Sequence, residues 1–371
     1  MALTQPPLPE GGAPGKCAIG LLRGLIAHDL DIRAVAARQS FSLPGEPPAD
    51  LPVELVNVRP EPPGPSAHVL AYLRPRGQLG HGQFVARFHA VAAGAHVAHL
   101  EETEAAPAGR RLTLPTVVHV HYLARRDRDF GAPWRRQFRD VALLSLSERK
   151  AVAGRRHLVA SSPLIAEALQ RSQPEAEVVV APLSLDPSLY PAAPLDGPPL
   201  AGIIGTASWP GTAAAMRRLV HGVWPLVRRL APEATLVLAG RGTEQLIDLA
   251  AEPGVEVLGG VPSAAEWLRD LSVLLFPIYR GSGMKVKVLE SIASGVPVVT
   301  TPVGAEGIEA GGGVVIADDD RKLAQAAAAI LTDVSERRDR GASARAAFLE
   351  RYSPVPATRP LVELYRRIAD N

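Results

Sequence analysis

A chain of 371 residues is longer than one hydrophobic core usually supports, so its length predicts about two domains. Hydrophobic residues make up 47% of the sequence and charged residues 21%, as in ordinary globular proteins, which excludes a disordered chain. The 40 basic residues nearly balance the 38 acidic ones, so nothing in the net charge points to a nucleic-acid partner.

Cysteine content and hydropathy bear on where the protein works. Cys17 is the single cysteine, which rules out an intramolecular disulfide framework and fits a reducing compartment. Residues 1–15 lack the charged head and apolar core of a signal peptide, and no apolar run has the length of a membrane span. We therefore expect a cytoplasmic protein that lies, at most, peripherally on the inner face of the membrane.

Strand and helix patterns alternate along the first half of the chain. The predicted strands cover residues 2–4, 32–36, 53–58, 96–100, 116–121, 157–160 and 177–181, and the predicted helices cover 16–30, 77–94, 134–152 and 163–170. Such alternation predicts a parallel sheet covered by helices on both faces. The first strand is nearly absent from the sequence. The proline-rich residues 186–200 follow, and we interpret them as a linker.

The second half repeats the alternation with cleaner boundaries. Its predicted strands cover 201–205, 235–239, 255–258, 272–276, 296–301 and 313–317, and its helices cover 212–230, 243–251, 263–270, 285–294, 320–333, 335–351 and 357–368. This pattern is typical of a doubly wound fold, whose ligand lies outside the carboxyl ends of the strands. We expect the loops at 205–206, 240–242, 279–283 and 301–304 to converge there.

The most informative stretch is GSGMKVKVLE at residues 281–290, between a predicted strand and a predicted helix. Glycines let the backbone approach an anion, and the first N–H groups of a helix point toward it. Lys285 and Lys287 add positive charge, and Glu290 can accept hydrogen bonds from sugar or ribose hydroxyls. On local sequence alone, a tight turn with an exposed Lys287–Glu290 ion pair is an equally good interpretation.

Four stretches in the second half resemble the family 4 retaining glycosyltransferases, which have the GT-B fold. They are GTASWP at 205–210 followed by VWPL at 223–226, LVLAGRG at 236–242, GSGMKVKVLESIASGVPVV at 281–299, and PVGAEG at 302–307 with the strand that follows. The resemblance implies an α/β protein with two Rossmann-like doubly wound domains facing across a cleft. Its parts would be an acceptor-binding domain at 1–185, the linker, a nucleotide-sugar-binding domain at 201–350 and a helix at 351–371 packing back toward the first domain.

The resemblance assigns roles to the loop residues. Ser282, Gly283, Lys285 and Lys287 would stabilise the leaving diphosphate, and Glu290 would bind ribose hydroxyls. The remaining donor-side candidates are Gly205, Thr206, Arg241, Gly242 and Gly281. The family usually has two glutamates here, but Ser282 occupies the position of the first, as in a subgroup with the same loop pattern. An arginine and lysine pair that many members carry is also missing after the opening strand.

The first half matches the family more loosely. Gly11 and Gly12 precede the first helix in the place that the family uses, and Glu101 and Glu102 could contact acceptor hydroxyls, although exposed acids usually do nothing specific. We expect His119 and His121 to face opposite sides of the sheet, and we choose His121 to contact the donor sugar. Lys287, Glu290 and His121 are therefore the candidate catalytic residues.

The implied activity is transfer of a sugar from a nucleoside diphosphate sugar to an unidentified acceptor hydroxyl, with retention of anomeric configuration. No cofactor or metal is implied, because no compact cluster of His, Cys or carboxylate residues shows ligand spacing. The arginine-rich residues 110–156 form either a solvated face or a surface for anionic lipid or a phosphorylated acceptor. The alternative function is a non-catalytic nucleotide-sugar-binding or partner subunit. A dinucleotide-dependent oxidoreductase is disfavoured, because neither half begins with G-x-G-x-x-G.

Overall fold

The structure, a computed structural model, describes residues 1–58, 78–80, 82–128, 131–132 and 134–369. The chain divides into two compact units, one made of Met1–Asp186 with Pro354–Asn371 and the other of Pro187–Ser353. The first unit therefore takes its last helix from the far end of the chain. Of the helix predicted at 77–94, residues 77 and 81 lie outside the described residues, and residues 78–80 are described but not helical.

The first unit is built on a parallel sheet. Its described strands are β1 (Ala2–Leu3), β2 (Ala34–Arg38), β3 (Val53–Asn57), β4 (Ala98–Glu101), β5 (Thr116–Val120), β6 (His157–Ala160) and β7 (Glu177–Val180). They lie in the order β3-β2-β1-β4-β5-β6-β7. The nearly absent first strand is thus a real one: two residues long, it pairs with β2 on one side and β4 on the other. A strand this short suffices because its neighbours fix it on both edges.

Helices cover this sheet. The described ones are α1 (Ala13–Ala27), α2 (Gly82–Ala92), α3 (Ala124–Asp127), α4 (Arg136–Val152) and α5 (Pro163–Ser172), with a 3₁₀ segment at Thr103–Gly109. The last helix of the chain, Pro354–Ala369, also belongs to this unit. Its apolar side chains Leu361, Leu364 and Ile368 pack with Leu21 and Leu25 of α1 into one core cluster. The apolar face of this helix therefore packs in the same hydrophobic core as α1.

The second unit has a sheet of the same kind. Its described strands are β8 (Leu200–Ile204), β9 (Thr235–Ala239), β10 (Val255–Gly259), β11 (Val273–Phe276), β12 (Val298–Thr300) and β13 (Val314–Ile316). They are parallel and lie in the order β10-β9-β8-β11-β12-β13, the strand order of a Rossmann fold. The topological switch point falls between β8 and β11, so their following loops are where this fold binds ligands.

The helices of the second unit are α6 (Pro210–Arg218), α7 (Trp224–Leu230), α8 (Ala264–Arg269), α9 (Val286–Ala293), α10 (Asp320–Thr332) and α11 (Val334–Arg351); the last helix of the chain is α12 (Pro354–Ala369). The helix predicted at 212–230 is interrupted by a π-helical segment at Leu219–Val223, just before Pro225. Proline cannot donate to the helical ladder, which accounts for the break. The segment predicted as a helix at 243–251 is 3₁₀, with a kink at Leu246.

A buried arginine ties the start of the second unit to its last helices. Arg337 is 1% exposed and donates to the carbonyl oxygens of Leu331 at 2.8 Å and Gly197 at 2.9 Å. It also donates to those of Ile330 and Leu195. Carbonyl groups at the end of α10 lack helical partners, and the guanidinium supplies donors in a fixed fork. Residues 195–197, part of the predicted linker, are thereby held against α10 and α11.

The contact between α1 and the start of α12 requires a glycine. A Cβ atom on Gly24 would clash with the carbonyl oxygen of Pro354 and lie 2.6 Å from the side chain of Thr358. We expect Gly24→Ala to lower the free energy of unfolding by about 1–3 kcal/mol, because overpacking forces backbone to move. The measurement is the urea midpoint of the whole chain. Gly82→Ala is the matched control, since nothing lies within 4 Å of its Cβ position; an equal loss in both variants would contradict this packing.

Candidate functional site

The loop between β11 and α9 has the backbone that a glycine-rich anion site needs. Gly281 and Gly283 both have positive φ, at 152° and 68°. The backbone N–H of Gly283 donates to Glu306 Oε1 at 2.8 Å, and Lys285 Nζ donates to the carbonyl oxygen of Gly283 at 2.6 Å. Ser282 is buried at 4% exposure. The loop is therefore ordered by its own lysine and by a carboxylate from the loop after β12.

Lys287 lies on the first turn of α9 and reaches the end of β8. A Cβ atom on Gly205 would clash with Lys287 Cε and lie 2.7 Å from Thr212 Cγ2. Only glycine leaves room for the lysine stem to pass there. Gly205 and Lys287 lie far apart along the sequence of this unit, and the fold brings them into contact at the switch point.

The loops after β8 and β9 also meet at this edge of the sheet. The Gly205 N–H donates to the carbonyl oxygen of Ala239 at 2.9 Å, and the Ala207 N–H donates to that of Arg241 at 2.9 Å. Gly240 and Gly242 have positive φ, at 120° and 84°, and a side chain at Gly240 would clash with the backbone of Gly205. Arg241 is exposed, and the carbonyl oxygen of Thr206 accepts from Trp209 N–H at 3.1 Å.

The loop after β12 completes the convergence. Gly304 N–H donates to Thr301 Oγ1 at 3.2 Å, and the Thr301 hydroxyl donates to the carbonyl oxygen of Ile278 in the loop after β11. The predicted meeting of the loops at the carboxyl edge is therefore found in the structure. Whether each residue contacts a donor stays a prediction.

Glu290 is held by a tyrosine that sequence reasoning missed. Tyr190 Oη donates to Glu290 Oε1 at 2.9 Å, and both residues are buried, at 1% and 6% exposure. The Glu290 carboxylate is therefore buried, whereas the tight-turn interpretation placed it on an exposed helix surface. No local pattern could reveal Tyr190, because it lies 100 residues away in the proline-rich stretch. Glu306, which orders the glycine loop, was also missed as a site residue.

In the first unit, a carboxylate lies among three imidazole rings. Glu101 Oε2 lies 2.5 Å from His99 Nε2 and 3.2 Å from His119 Nδ1, while Glu101 Oε1 lies 2.9 Å from His121 Nε2. The expectation that His119 and His121 face opposite sides is wrong. They are two positions apart, so strand periodicity places them on the same face, with ring centroids 4.5 Å apart.

Glu101 and Glu102 are buried rather than exposed, at 3% and 8% exposure. Glu102 has a φ of 67° and accepts a hydrogen bond from the hydroxyl of Thr4, at the end of β1. Gly12 lies just before α1, and Gly11 N–H donates to the carbonyl oxygen of Leu8 at 2.9 Å. Sheet order, with β1 beside β4, is what brings Thr4 to Glu102; the sequence alone does not show it.

Burial sets the protonation of this cluster. It opposes charge on Glu101, but His119 and His121 overcome that effect and hold the pKa of the carboxyl well below its usual range. Burial lowers the pKa of His119 to about 4, which leaves that ring neutral. Burial also acts to lower the pKa of His121, but Glu101, Glu102 and Glu104 raise it to about 8. The cluster at neutral pH is therefore an ionised Glu101 with a protonated His121.

The ligand atoms of His99, Glu101 and His119 lie within 4.8 Å of one another. The prediction that no compact cluster of such residues exists is therefore wrong, because it considered spacing along the sequence and not neighbours across β4 and β5. The 2.5 Å separation of His99 Nε2 from Glu101 Oε2 is a hydrogen-bond distance, and two ligands of one metal ion lie farther apart. The absence of a metal requirement stays a prediction.

A cavity in the first unit lies at the other end of the sheet. Its volume is about 260 Å³, and it is lined at the amino ends of the strands by Met1, Arg33 and Val97 and by Tyr365 of α12. It contains none of the predicted site residues. Residues 110–156 include positions outside the described ranges, so the arginine-rich region stays a prediction. Among the described residues, no helix is long and apolar enough to cross a membrane.

Comparison with known proteins bears on the second unit first. Residues 198–333 match the family model of the glycosyl transferases group 1. No curated protein sequence matches the chain. The matched residues contain the glycine loop, Lys287 and Glu290, and they begin at β8.

Solved structures resemble nearly the whole chain. Sucrose-phosphate synthase from Thermosynechococcus elongatus has a TM-score of 0.71 at 17% identity, covering 96% of this chain and 93% of its own. Anabaena HepE in complex with UDP and glucose has a TM-score of 0.66 at 16% identity, covering 98% of each chain. Trehalose 6-phosphate synthase from Burkholderia multivorans has a TM-score of 0.65 at 13% identity, covering 100% and 97%. The predicted fold class, two Rossmann-like α/β domains of the GT-B type, is confirmed.

Another buried carboxylate in the first unit, Glu148, gives a test of the electrostatics. Glu148 on α4 accepts hydrogen bonds from Ala124 N–H, at 2.8 and 3.1 Å, and burial raises its pKa to about 8. A raised carboxyl pKa contributes stability below about pH 4.5 that is lost as the pH rises through 8. Glu148→Gln keeps an acceptor and removes the charge. We therefore expect it to gain roughly 2–4 kcal/mol relative to wild type between pH 5 and pH 9.

The measurement is the urea midpoint of wild type and variant at pH 5 and pH 9. Glu167→Gln is the control, because its carboxylate is 66% exposed and pairs with Arg171 on the surface of α5. That variant should follow wild type at both values. A Glu148→Gln difference independent of pH would show that Glu148 is ionised without cost.

Proposed function

We propose that the protein is a glycosyltransferase that moves a sugar from a nucleoside diphosphate sugar to an acceptor hydroxyl, with retention and without a metal ion. The observation that carries the proposal is Lys287, whose stem crosses Gly205 at the switch point beside the loop that ends at α9. This arrangement puts a cation, a helix N-terminus and a glycine backbone without side chains at one edge of the sheet. The match to the glycosyl transferases group 1 and the GT-B fold support it.

Each part of the site would act on a different part of the donor. Negative charge develops on the diphosphate as the sugar leaves, and Lys287 with the N–H groups at the start of α9 would stabilise it where it develops, because the Gly283 N–H already donates to Glu306. Glu290, which accepts a hydrogen bond from Tyr190, would also accept hydrogen bonds from ribose hydroxyls. The solved HepE structure contains UDP, which is the kind of leaving group this loop suits. Lys285, bonded to the loop carbonyl of Gly283, would act mainly by ordering the loop.

The chemistry proposed for the transfer needs no protein nucleophile. The leaving diphosphate accepts the acceptor's hydroxyl proton while the acceptor oxygen bonds the anomeric carbon on the face that the diphosphate leaves. The C–O bond to the diphosphate breaks as the new C–O bond forms, so charge and atoms balance. His121 of the first unit would donate a hydrogen bond to the donor sugar, and the loop at Gly11 and Gly12 with Glu102 would lie on the acceptor side.

A non-catalytic nucleotide-sugar-binding or partner subunit is the second candidate. The observation that favours it is Ser282, which is buried where the resembled family usually carries a glutamate. Such a protein would bind the nucleotide through Lys287 and Glu290 but would not turn over. Binding and turnover therefore have to be measured separately.

The first test is a calorimetric titration of the purified protein with UDP, GDP, ADP and dTDP, followed by an assay of nucleotide release from the matching sugar donors. We expect one nucleotide to bind more tightly than the others and to be released slowly from its sugar. Binding without release across a broad acceptor panel would favour the partner subunit. The absence of binding by all four nucleotides would contradict the site.

Two substitutions test the assigned residues. Lys287→Ala should lower turnover by about 100-fold or more, because it removes a charge from the developing diphosphate. Glu290→Ala should raise the nucleotide dissociation constant about tenfold through loss of the ribose contact, which corresponds to about 1.4 kcal/mol. Steady-state kinetics and calorimetry provide both values.

Lys322→Ala is the matched control for charge, since this lysine is 65% exposed and pairs with Asp318 and Asp319 away from the loops. It should leave binding and turnover unchanged. If Lys287→Ala and Glu290→Ala also bind and turn over as wild type does, the site assignment is wrong.

A further inference from the structure

A chain of close polar contacts leads from the last helix to His121 within the first unit: two hydrogen bonds join Tyr365, His99 and Glu101, and an ion-pair contact joins Glu101 to His121. Tyr365 Oη of α12 lies 2.5 Å from His99 Nδ1, and His99 Nε2 lies 2.5 Å from Glu101 Oε2. The other oxygen of Glu101 lies 2.9 Å from His121 Nε2. Tyr365, His99, Glu101 and His121 are all less than 10% exposed. Hydrophobic packing alone does not explain why four polar side chains are buried in contact with one another, one after the next.

The proton positions in this chain follow from the chemistry of the groups. An ionised carboxylate only accepts hydrogen bonds, so His99 must donate to Glu101 from Nε2. In the neutral ring, Nδ1 is then the acceptor, and the phenol of Tyr365 donates to it. Burial raises the pKa of Tyr365 well above its usual value, so the phenol keeps its proton. Tyr365 therefore donates to His99, and His99 donates to Glu101.

We propose that Glu101 is a positioning residue that holds His121 as an oriented imidazolium, and that Tyr365 fixes Glu101 in place through His99. This inference rests on the proposed function, because His121 is there the residue that contacts the donor sugar. An imidazolium carries a proton on both nitrogens, so it donates hydrogen bonds and cannot accept a proton. His121 is therefore a donor to a sugar hydroxyl or phosphate oxygen, and not a general base.

Charges from several elements act on His121. Glu101 belongs to β4, Glu102 follows it, and Glu104 belongs to the 3₁₀ segment after β4, and all three favour the protonated ring. Glu102 Oε1 lies 3.7 Å from His121 Nδ1. His119, the neighbouring ring on β5, is neutral because burial lowers its pKa to about 4. Glu101 is the nearest carboxylate, so its charge should dominate the proton affinity of His121.

The geometry of Glu101 differs from that of a packing residue. It is the common partner of three imidazole rings, two of them on its neighbouring strand. Breaking one partner of a buried charged pair leaves the other uncompensated, so orientation and charge are coupled here. The Nε2 atoms of His119 and His121 are both buried without a hydrogen-bond partner among the described residues, so Glu101 meets His121 as an ion pair at 2.9 Å and not through an aligned hydrogen bond. The His119 ring packs against His121, with ring centroids 4.5 Å apart.

The experiment is an NMR titration of histidine side chains in the full-length protein, with the His121 signal assigned by its loss in His121→Gln. In wild type we expect His121 to titrate near pH 8. In Glu101→Gln, which keeps the shape and removes the charge, its proton affinity should fall at least tenfold. Tyr365→Phe keeps the ring and should change the tautomer signal of His99, with a smaller fall for His121. If Glu101→Gln does not fold, Tyr365→Phe takes its place in the titration, because this variant keeps the aromatic ring that packs in the core.

Glu54→Gln is the control variant, because this carboxylate pairs with Arg87 on the exposed side of β3. It should leave the His121 titration unchanged. An unchanged His121 midpoint in Glu101→Gln would overturn the proposal. A second result would also overturn it: elemental analysis of protein loaded with zinc finds one zinc ion per chain, and this ion is lost in both His99→Gln and Glu101→Gln.

The titration does not depend on activity, so it separates this inference from the proposed function. If sugar transfer is found, the alkaline limb of kcat/KM should follow the His121 midpoint and move to lower pH in Glu101→Gln. If no transfer is found but the midpoint moves, the proposed function fails and the positioning role of Glu101 stands.

Discussion

The candidate donor site depends on two backbones approaching more closely than any side chain would allow. Gly240 packs against the backbone of Gly205, and Gly205 in turn leaves the space that the stem of Lys287 fills. Sheet hydrogen bonding between β8 and β9 brings the two glycines together, and the helix after the β11 loop delivers the lysine. Each of these steps is a consequence of parallel strands that end at one edge. Loss of either glycine would displace the cation without touching the glycine loop itself.

The two units solve the problem of buried polar groups in different ways. In the second, Tyr190 donates its hydroxyl hydrogen to Glu290, and four carbonyl oxygens accept hydrogen bonds from Arg337, so the arginine charge is met by fixed dipoles. In the first, Glu101 is met by imidazole rings that can change their own charge. Fixed dipoles stabilise a buried charge equally at every pH, whereas the stabilisation by titratable partners changes with pH.

The sequence predicted the second unit well because its signals are local. Short apolar runs end in glycine or proline, and the residues around the loop at 281–290 lie on one strand, one turn and one helix. The failures involve pairs that are far apart along the chain. Tyr190 and Glu290 are 100 residues apart, and Tyr365 and His99 are 266 apart, so no periodicity or spacing connects them. The burial of Glu101 follows from its place between β1 and β5 in the sheet, which requires the strand order. His119 and His121 are two positions apart, which is the period of a strand, so their placement on one face is already contained in the sequence.

Because α12 belongs to the first unit, the order in which the two units can fold during synthesis is constrained. Residues 187–353 form one continuous unit, while the first unit is split between residues 1–186 and the helix that begins at Pro354. During synthesis the second unit can therefore fold as soon as it leaves the ribosome, but the first has to wait, with the apolar face of α1 uncovered, until the last residues emerge. If translation stopped after residue 353, the second unit would be complete, but the first unit would lack α12 and with it Tyr365, the partner of His99. Truncation of the last helix should therefore expose α1 to chaperones rather than merely shorten the chain.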